Sequence, residues 1–336
     1  MTPALSLRAA LKRGALVTAA NWAVVFVDFT IESVFKFALA IPVVGGALMV
    51  AVLIGSDLRT LFAEGVRATA DLVFGSLASA PIALGAFLAA ITLVAFGGGI
   101  IMALVKAGTL SILVAGERTA GEVHRPPLRL EAIQRASAYS LEAVLQGVRH
   151  FRRRAILLAC WLGVAYILIG LAYVTSLTVG FQLVNASNWS AAWPLLVLIV
   201  TSTSVVSITV INLTYDLLRV IVTTDDCGIG AAIARLRSFV IQDARQVLGI
   251  FGVMSVVLAL VTAASVFAAA GLTLIAWVPF AGLILLPLQA ATWLIRGLVF
   301  QYLGLMTLSA YQTQYRRLAG ETITDRSIDL SIYRSI

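Results

Sequence analysis

Charge is scarce in this chain. Only 12% of its 336 residues are Asp, Glu, Lys or Arg, about half of the roughly 25% usual in soluble domains. Histidine is rarer still: there are two, His124 and His150, and both fall in one polar section outside the long apolar runs. A haem or chlorophyll core normally draws axial ligands from histidine, so an electron-transfer core of that kind is not expected. The two cysteines, Cys160 and Cys227, are expected at different depths and therefore unpaired. No HExxH, CxxC, GxSxG or Walker pattern occurs. The glycine cluster Gly97-Gly98-Gly99 lies inside an apolar run, with no Lys-Ser/Thr after it, and suits close helix approach or a local bend. No residue is nominated as catalytic, as a metal ligand or as a cofactor contact.

Hydrophobic residues fill the space that charge leaves. They make up 60% of the chain, and the mean hydropathy is +1.00. A soluble fold cannot bury that much apolar surface, whereas a bilayer can accept it. Backbone in lipid must satisfy its own hydrogen bonds, which leaves helices or a closed barrel. Barrel strands would give short alternating segments. The runs here are long and continuous, each able to cross a core of about 30 Å with ~20 helical residues. The expected fold is all-α: a polytopic membrane bundle of six transmembrane helices near 37–54, 81–105, 155–180, 194–217, 246–270 and 280–312. Residues 1–315 form a single transmembrane domain in this reading, and 316–336 a polar tail. The apolar run after Arg13 is broken by Asn21, Asp28 and Glu32, so it reads as an uncleaved first helix with an interfacial or tilted section. Amphipathic helices are expected at 55–78, where Leu58, Leu61, Phe62 and Val66 recur at helical spacing, and at 228–242, introduced by Asp225-Asp226.

The net charge of +8 comes from 24 basic and 16 acidic residues. Its distribution accounts for it without nucleic acid. Lys and Arg divide 20 to 2 between alternate sides of the six-span arrangement, with Lys36 and Arg296 left in the spans. By the positive-inside rule, both termini are then cytoplasmic, and 181–193 and 271–279 are external. Arg outnumbers Lys 21 to 3 amid much Ala, Gly, Leu and Val, a usage that points to a bacterial inner membrane. Two cytoplasmic sections share an order of span, acidic turn, basic amphipathic helix, Arg and next span, ending at Arg154 and Arg245. Parallel repeats or generic hairpin design would each produce it.

Three polar groupings stand out. Ser202, Thr209, Asn212, Asp216 and Arg219 fall within roughly 100° of one face of the fourth span. They read either as a polar path or ligand site, or as helix–helix glue with Asp216 and Arg219 paired at the cytoplasmic end; the second is favoured because both charges lie near the span's end. Asp28, Glu32 and Lys36 form a charged stripe at four-residue spacing. Arg296 stands in an apolar run, with Asp28 or Glu32 as candidate partners. Arg152-Arg153-Arg154 suits contacts with anionic lipid headgroups, or simply carries topology charge.

The stretch from Tyr215 through Asp216, Arg219 and Asp225-Asp226, with Ala231-Ala-Ile-Ala-Arg235 and Arg245-Gln-Val-Leu-Gly249 after it, resembles a section of uncharacterised bacterial multi-span proteins. Those are similar to the membrane domain attached to some glycerophosphodiester phosphodiesterases. The likeness spans about 35 residues plus the six-span layout. It implies a membrane module and carries no activity, because the phosphodiesterase barrel and its acidic and His motifs are absent. The expected function is a non-catalytic inner-membrane scaffold or accessory subunit, with lipid and other membrane proteins as partners. The alternative is a small-molecule or lipid transporter using the polar face of the fourth span.

Overall fold

The computed structural model describes residues 6–54, 81–121, 123, 130–186, 192–276 and 281–319. The amphipathic stretch expected at 55–78, the Pro126-Pro127 turn and the tail beyond 319 lie outside them. The described residues form eight helices and no strand: α1 (Leu7–Ala20), α2 (Trp22–Ile54), α3 (Pro81–Thr119), α4 (Leu130–Arg135), α5 (Leu141–Ala186), α6 (Ala192–Asp225), α7 (Ile229–Ala276) and α8 (Ala281–Leu318). The all-α membrane architecture is thus present. Five of these helices, α3 and α5 to α8, are long and apolar enough to cross a membrane. They contain the second to sixth expected spans. The first, at 37–54, falls in α2, whose side chains beyond Gly46 are outside the described residues.

The helices outrun the bilayer. α5 has 46 residues, which at ~1.5 Å per residue gives about 70 Å, more than twice the ~30 Å of hydrocarbon. Sequence reading placed the end of the second span near Lys106 and a long polar section after it. The helix in fact continues to Thr119, and Leu110, Ile112, Leu113 and Val114 beyond Lys106 are all buried. Lys106 marks the edge of the most apolar run and not the end of the helix.

Contacts divide the chain into two compact units, Met1–Asp28 with Lys106–Ile336, and Phe29–Val105. In the larger unit, charge collects at the C-terminal ends of α3, α6 and α8 and at the N-terminal ends of α5 and α7. α5 packs on α6, α6 on α7, and α7 on α8. Antiparallel neighbours therefore bring these ends together, and the core lies there. Val17, Val24, Leu110, Leu113, Ala136, Val144, Val220, Leu305 and Leu308 form its centre. The most apolar windows, by contrast, are nearly unburied: none of the most apolar window of α6 is buried, and 11% of that of α5. α7 bears out the expected amphipathic helix at its start. Asp243 leaves helical geometry (φ −135°, ψ 37°) and separates that section from the apolar remainder.

The smaller unit holds the rest of α2 and α3. Glu32 and Lys36 pair at 2.7 Å in the favourable i, i+4 order. Of the three consecutive glycines, only Gly98 faces a close neighbour. A Cβ there would stand 2.3 Å from the Phe35 ring, whereas Gly97 and Gly99 meet nothing within 4 Å.

Candidate functional site: a polar cleft at the charged end

The charged end is built on a buried ion pair. Arg13 on α1 and Glu117 on α3 are 0% and 1% exposed, and Arg13 Nε donates to Glu117 Oε1 at 2.5 Å. Arg13 also donates to the carbonyls of Gly121 and Glu117. Thr313 on α8 donates to the same Glu117 oxygen at 3.0 Å. A guanidinium suits this role because its fixed fork reaches a carboxylate and carbonyls together. Gly121 turns the chain at φ +54°, a value that favours glycine. Nearby, Asn21 breaks α1 from α2. Its amide donates to Val17 and Ala136 carbonyls at 3.0 and 2.8 Å, and its oxygen accepts from the Ala138 N–H at 2.9 Å. These contacts tie α1, α3, α8 and the α4–α5 linker into one frame.

On this frame opens a cleft of about 660 Å³ lined by residues of α3, α6, α7 and α8. Its acidic side is the α6–α7 turn. Asp225, 14% exposed, accepts from Arg235 and from the Tyr315 hydroxyl. Asp226 accepts from Arg154 and from His150, the latter at 2.9 Å. Burial raises the Asp226 carboxyl, but the hydrogen bonds from Arg154 and His150 outweigh it and hold the group below the ordinary aspartate range. Burial also pushes the Cys227 thiol up. Both acids are thus met by cations. Arg118 is different: its guanidinium donates to the Thr224 carbonyl at 2.8 Å, and among the described residues it has no carboxylate partner. The Thr224 hydroxyl is buried in the lining and has no hydrogen-bond partner.

The residues singled out from sequence disperse along α6. Asp216 and Arg219 pair at 3.3 Å. Arg219 also donates to the Lys106 carbonyl at 3.2 Å and stacks 5.3 Å from the Tyr215 ring centroid. Asn212 accepts from Tyr166 on α5. Thr209 donates to its own helix at Val205, and Ser202 is exposed. Asp28 is 1% exposed in the core. Arg296 is exposed, and its guanidinium lies 5.6 Å from the Phe300 ring centroid; it forms no ion pair among the described residues. Of Arg152-Arg153-Arg154, Arg154 holds Asp226, and Arg152 and Arg153 form no ion pair among the described residues. Sequence reading did not single out Arg13, Glu117, Arg118 or Thr224 as site residues. The one local sign was Glu117, an acid closing an otherwise apolar and small run from Ala107 to Gly116.

No protein-family model, curated protein or solved structure matches the chain. The apolar helices mark an integral, multi-pass membrane protein.

Proposed function

We propose that this protein is a non-catalytic scaffold or accessory subunit of a membrane assembly in the bacterial inner membrane, with both termini and the charged end in the cytoplasm. The observation that carries the reading is the division of labour along the helices. Packing is concentrated at the charged end, while the apolar windows of α5 and α6 are 11% and 0% buried. Large residues such as Leu168 and Leu198, 60% and 62% exposed, offer long faces to lipid or to another protein's helices. A rigid base with open membrane faces suits a subunit that others dock on. The polar groups of α6 support the same reading, since Asn212 is held by Tyr166 and Thr209 by its own backbone. The concentration of Arg supports the orientation. The resemblance around Tyr215 to Gly249 is in keeping with a membrane module.

Photo-crosslinking in cells from positions Leu168 and Leu198 tests the reading. Protein adducts of defined mass from one face are expected. Lipid adducts alone from both faces, with solute flux in proteoliposomes that depends on Asn212, would replace the scaffold with a transporter. Reporter fusions at Asn188 and Ile336 test the topology, and an external C-terminus would overturn it.

A further inference from the structure

We infer that the exposed face of α8 around Arg296 docks a transmembrane helix of another protein, one that carries an Asp or Glu within its own span. The inference rests on the scaffold reading and names the chemistry of the partner. Arg296 is the only charged residue between Arg245 and Arg316. It lies in a helix long and apolar enough to cross a membrane. At ~1.5 Å per residue it stands about 14 Å before Leu305, which is the first buried residue of α8 among those described. Its side chain is exposed, and its guanidinium lies 5.6 Å from the Phe300 ring centroid. That ring meets the charge but offers no oxygen to the five N–H donors. Among the described residues Arg296 has no ion pair and no hydrogen bond. A charge within a span costs free energy until it is paired or hydrated. A carboxylate on a facing helix would supply the partner, with two oxygens for the guanidinium fork.

The surroundings of Arg296 are the second observation. Gln289, Thr292 and Arg296 recur at i, i+3 and i+7, which places them on one face of α8. Thr292 donates to its own helix at the Leu288 carbonyl, 2.8 Å away. Gln289 is half-buried, and its amide makes no hydrogen bond among the described residues. Trp293 and Val299 flank the stripe, 46% and 36% exposed. Helices in lipid associate through packing and interhelical hydrogen bonds, because lipid tails are as apolar as leucine. This face offers a cation, an amide and an exposed indole. The open faces of α5 and α6 offer no charge, since none falls between Arg154 and Asp216. Charge therefore makes the α8 face selective. An anionic lipid phosphate fits it less well than an acidic helix does, because headgroups sit at the bilayer surface and Arg296 lies within the apolar run.

The experiment uses the full chain in cells, with a photo-crosslinking residue at Trp293 or Val299 and a control at Leu294 on the other side of α8. Adducts are mapped by mass spectrometry. The expected result is an adduct from Trp293 or Val299, absent from Leu294, that maps to a membrane-spanning segment of another protein containing Asp or Glu. Arg296→Leu should lower its yield several-fold, and Arg296→Lys, which keeps the charge, should restore most of it. Arg296→Leu removes a charge from an apolar run, so the thermal midpoint of the purified chain should stay level or rise. Loss of the adduct is then not a failure to fold. Exchanging the charges, with Arg296→Glu against an arginine at the partner's acid, should recover the adduct that either change alone removes. Lipid adducts alone, an adduct within this chain, a partner segment without an acid, or a yield unchanged in Arg296→Leu would each overturn the proposal. Protein adducts from Leu168 or Leu198 with none from α8 would remove this face and leave the scaffold reading standing. Lipid adducts alone from all three helices would remove both.

Discussion

A carboxylate at 1% exposure persists as an ion only beside a cation, and the cation for Glu117 is Arg13, 104 positions earlier. Breaking such a pair leaves the other charge buried, at a cost of ~3–5 kcal/mol. Glu117→Ala and Arg13→Ala should each lower stability by that order, read from thermal unfolding in detergent. Arg13→Met combined with Glu117→Leu should recover much of the loss, because the desolvation cost leaves with both charges. Two single losses below about 1 kcal/mol, the exposed-pair range, would show that the pair is solvated. Asp226 makes the opposite case, being 56% exposed. Its folded pKa lies below the unfolded value near 3.9. Its contribution is therefore complete above that value and is lost as pH falls through the folded one. Asp226→Asn should keep the backbone, since Asn tolerates the φ of 48° found there. The gap in thermal midpoint between wild type and variant, worth under about 1 kcal/mol, should be present at about pH 5 and close as pH falls below about 4. A gap constant into stronger acid would mean that the carboxylate is not what holds Arg154 and His150.

Helix packing at the charged end depends on glycines whose neighbours are backbone. A Cβ at Gly14 would stand 2.7 Å from the Met306 carbonyl and 2.9 Å from the Ala310 nitrogen, so α1 lies directly on α8. Backbone cannot rotate away as a side chain can. Gly14→Ala should therefore cost about 1–3 kcal/mol. Gly163 on α5 has nothing within 4 Å, and Gly163→Ala should be neutral or stabilise by up to about 1 kcal/mol through helix propensity. A like response from the two would deny the close approach. In the sequence these glycines look alike, because what separates them is a partner helix nearly 300 positions away. Features set by near neighbours were legible: five of the expected spans, the amphipathic start of α7 and the Asp216–Arg219 contact at i, i+3. The suspected repeat fares differently in detail, since α5 runs unbroken through Arg154 while α7 kinks at Asp243 ahead of Arg245. For Asp216 and Arg219, a double-mutant cycle should give a coupling of only ~0.5 kcal/mol. Arg219→Ala should cost more than Asp216→Ala, because Arg219 also holds the Lys106 carbonyl and Tyr215. Strict additivity would remove the pair.

At the scale of the whole molecule, hydropathy and burial point to different places. Hydropathy marks where lipid can surround a helix, and it marked five of the expected spans. It is silent on where helices grip one another, because a lipid-facing leucine and a core leucine read the same. Leu110 and Leu113 lie past Lys106, in a section that reads as polar loop, yet both are 0% exposed. Ser309, Gln312 and Thr313 close the last span in the sequence, yet they too are 0% exposed. Thr313 meets Glu117 of the ion pair, and Ser309 meets Thr18. Mutational sensitivity should therefore follow burial and not hydropathy. Leu110→Ala and Leu113→Ala should each cost ~2–5 kcal/mol in detergent, the range for a buried leucine whose site cannot collapse. Leu168→Ala and Leu198→Ala should cost under about 1 kcal/mol there, since detergent replaces lipid at those faces and no cavity forms. The same four variants in native membranes separate lipid from protein neighbours. A partner helix packed on α5 or α6 would make Leu168 or Leu198 costly only in the membrane, as reduced recovery of the assembled complex. Equal costs for all four in detergent would place the stabilising contacts in the spans themselves and remove the division between a gripping end and open membrane faces.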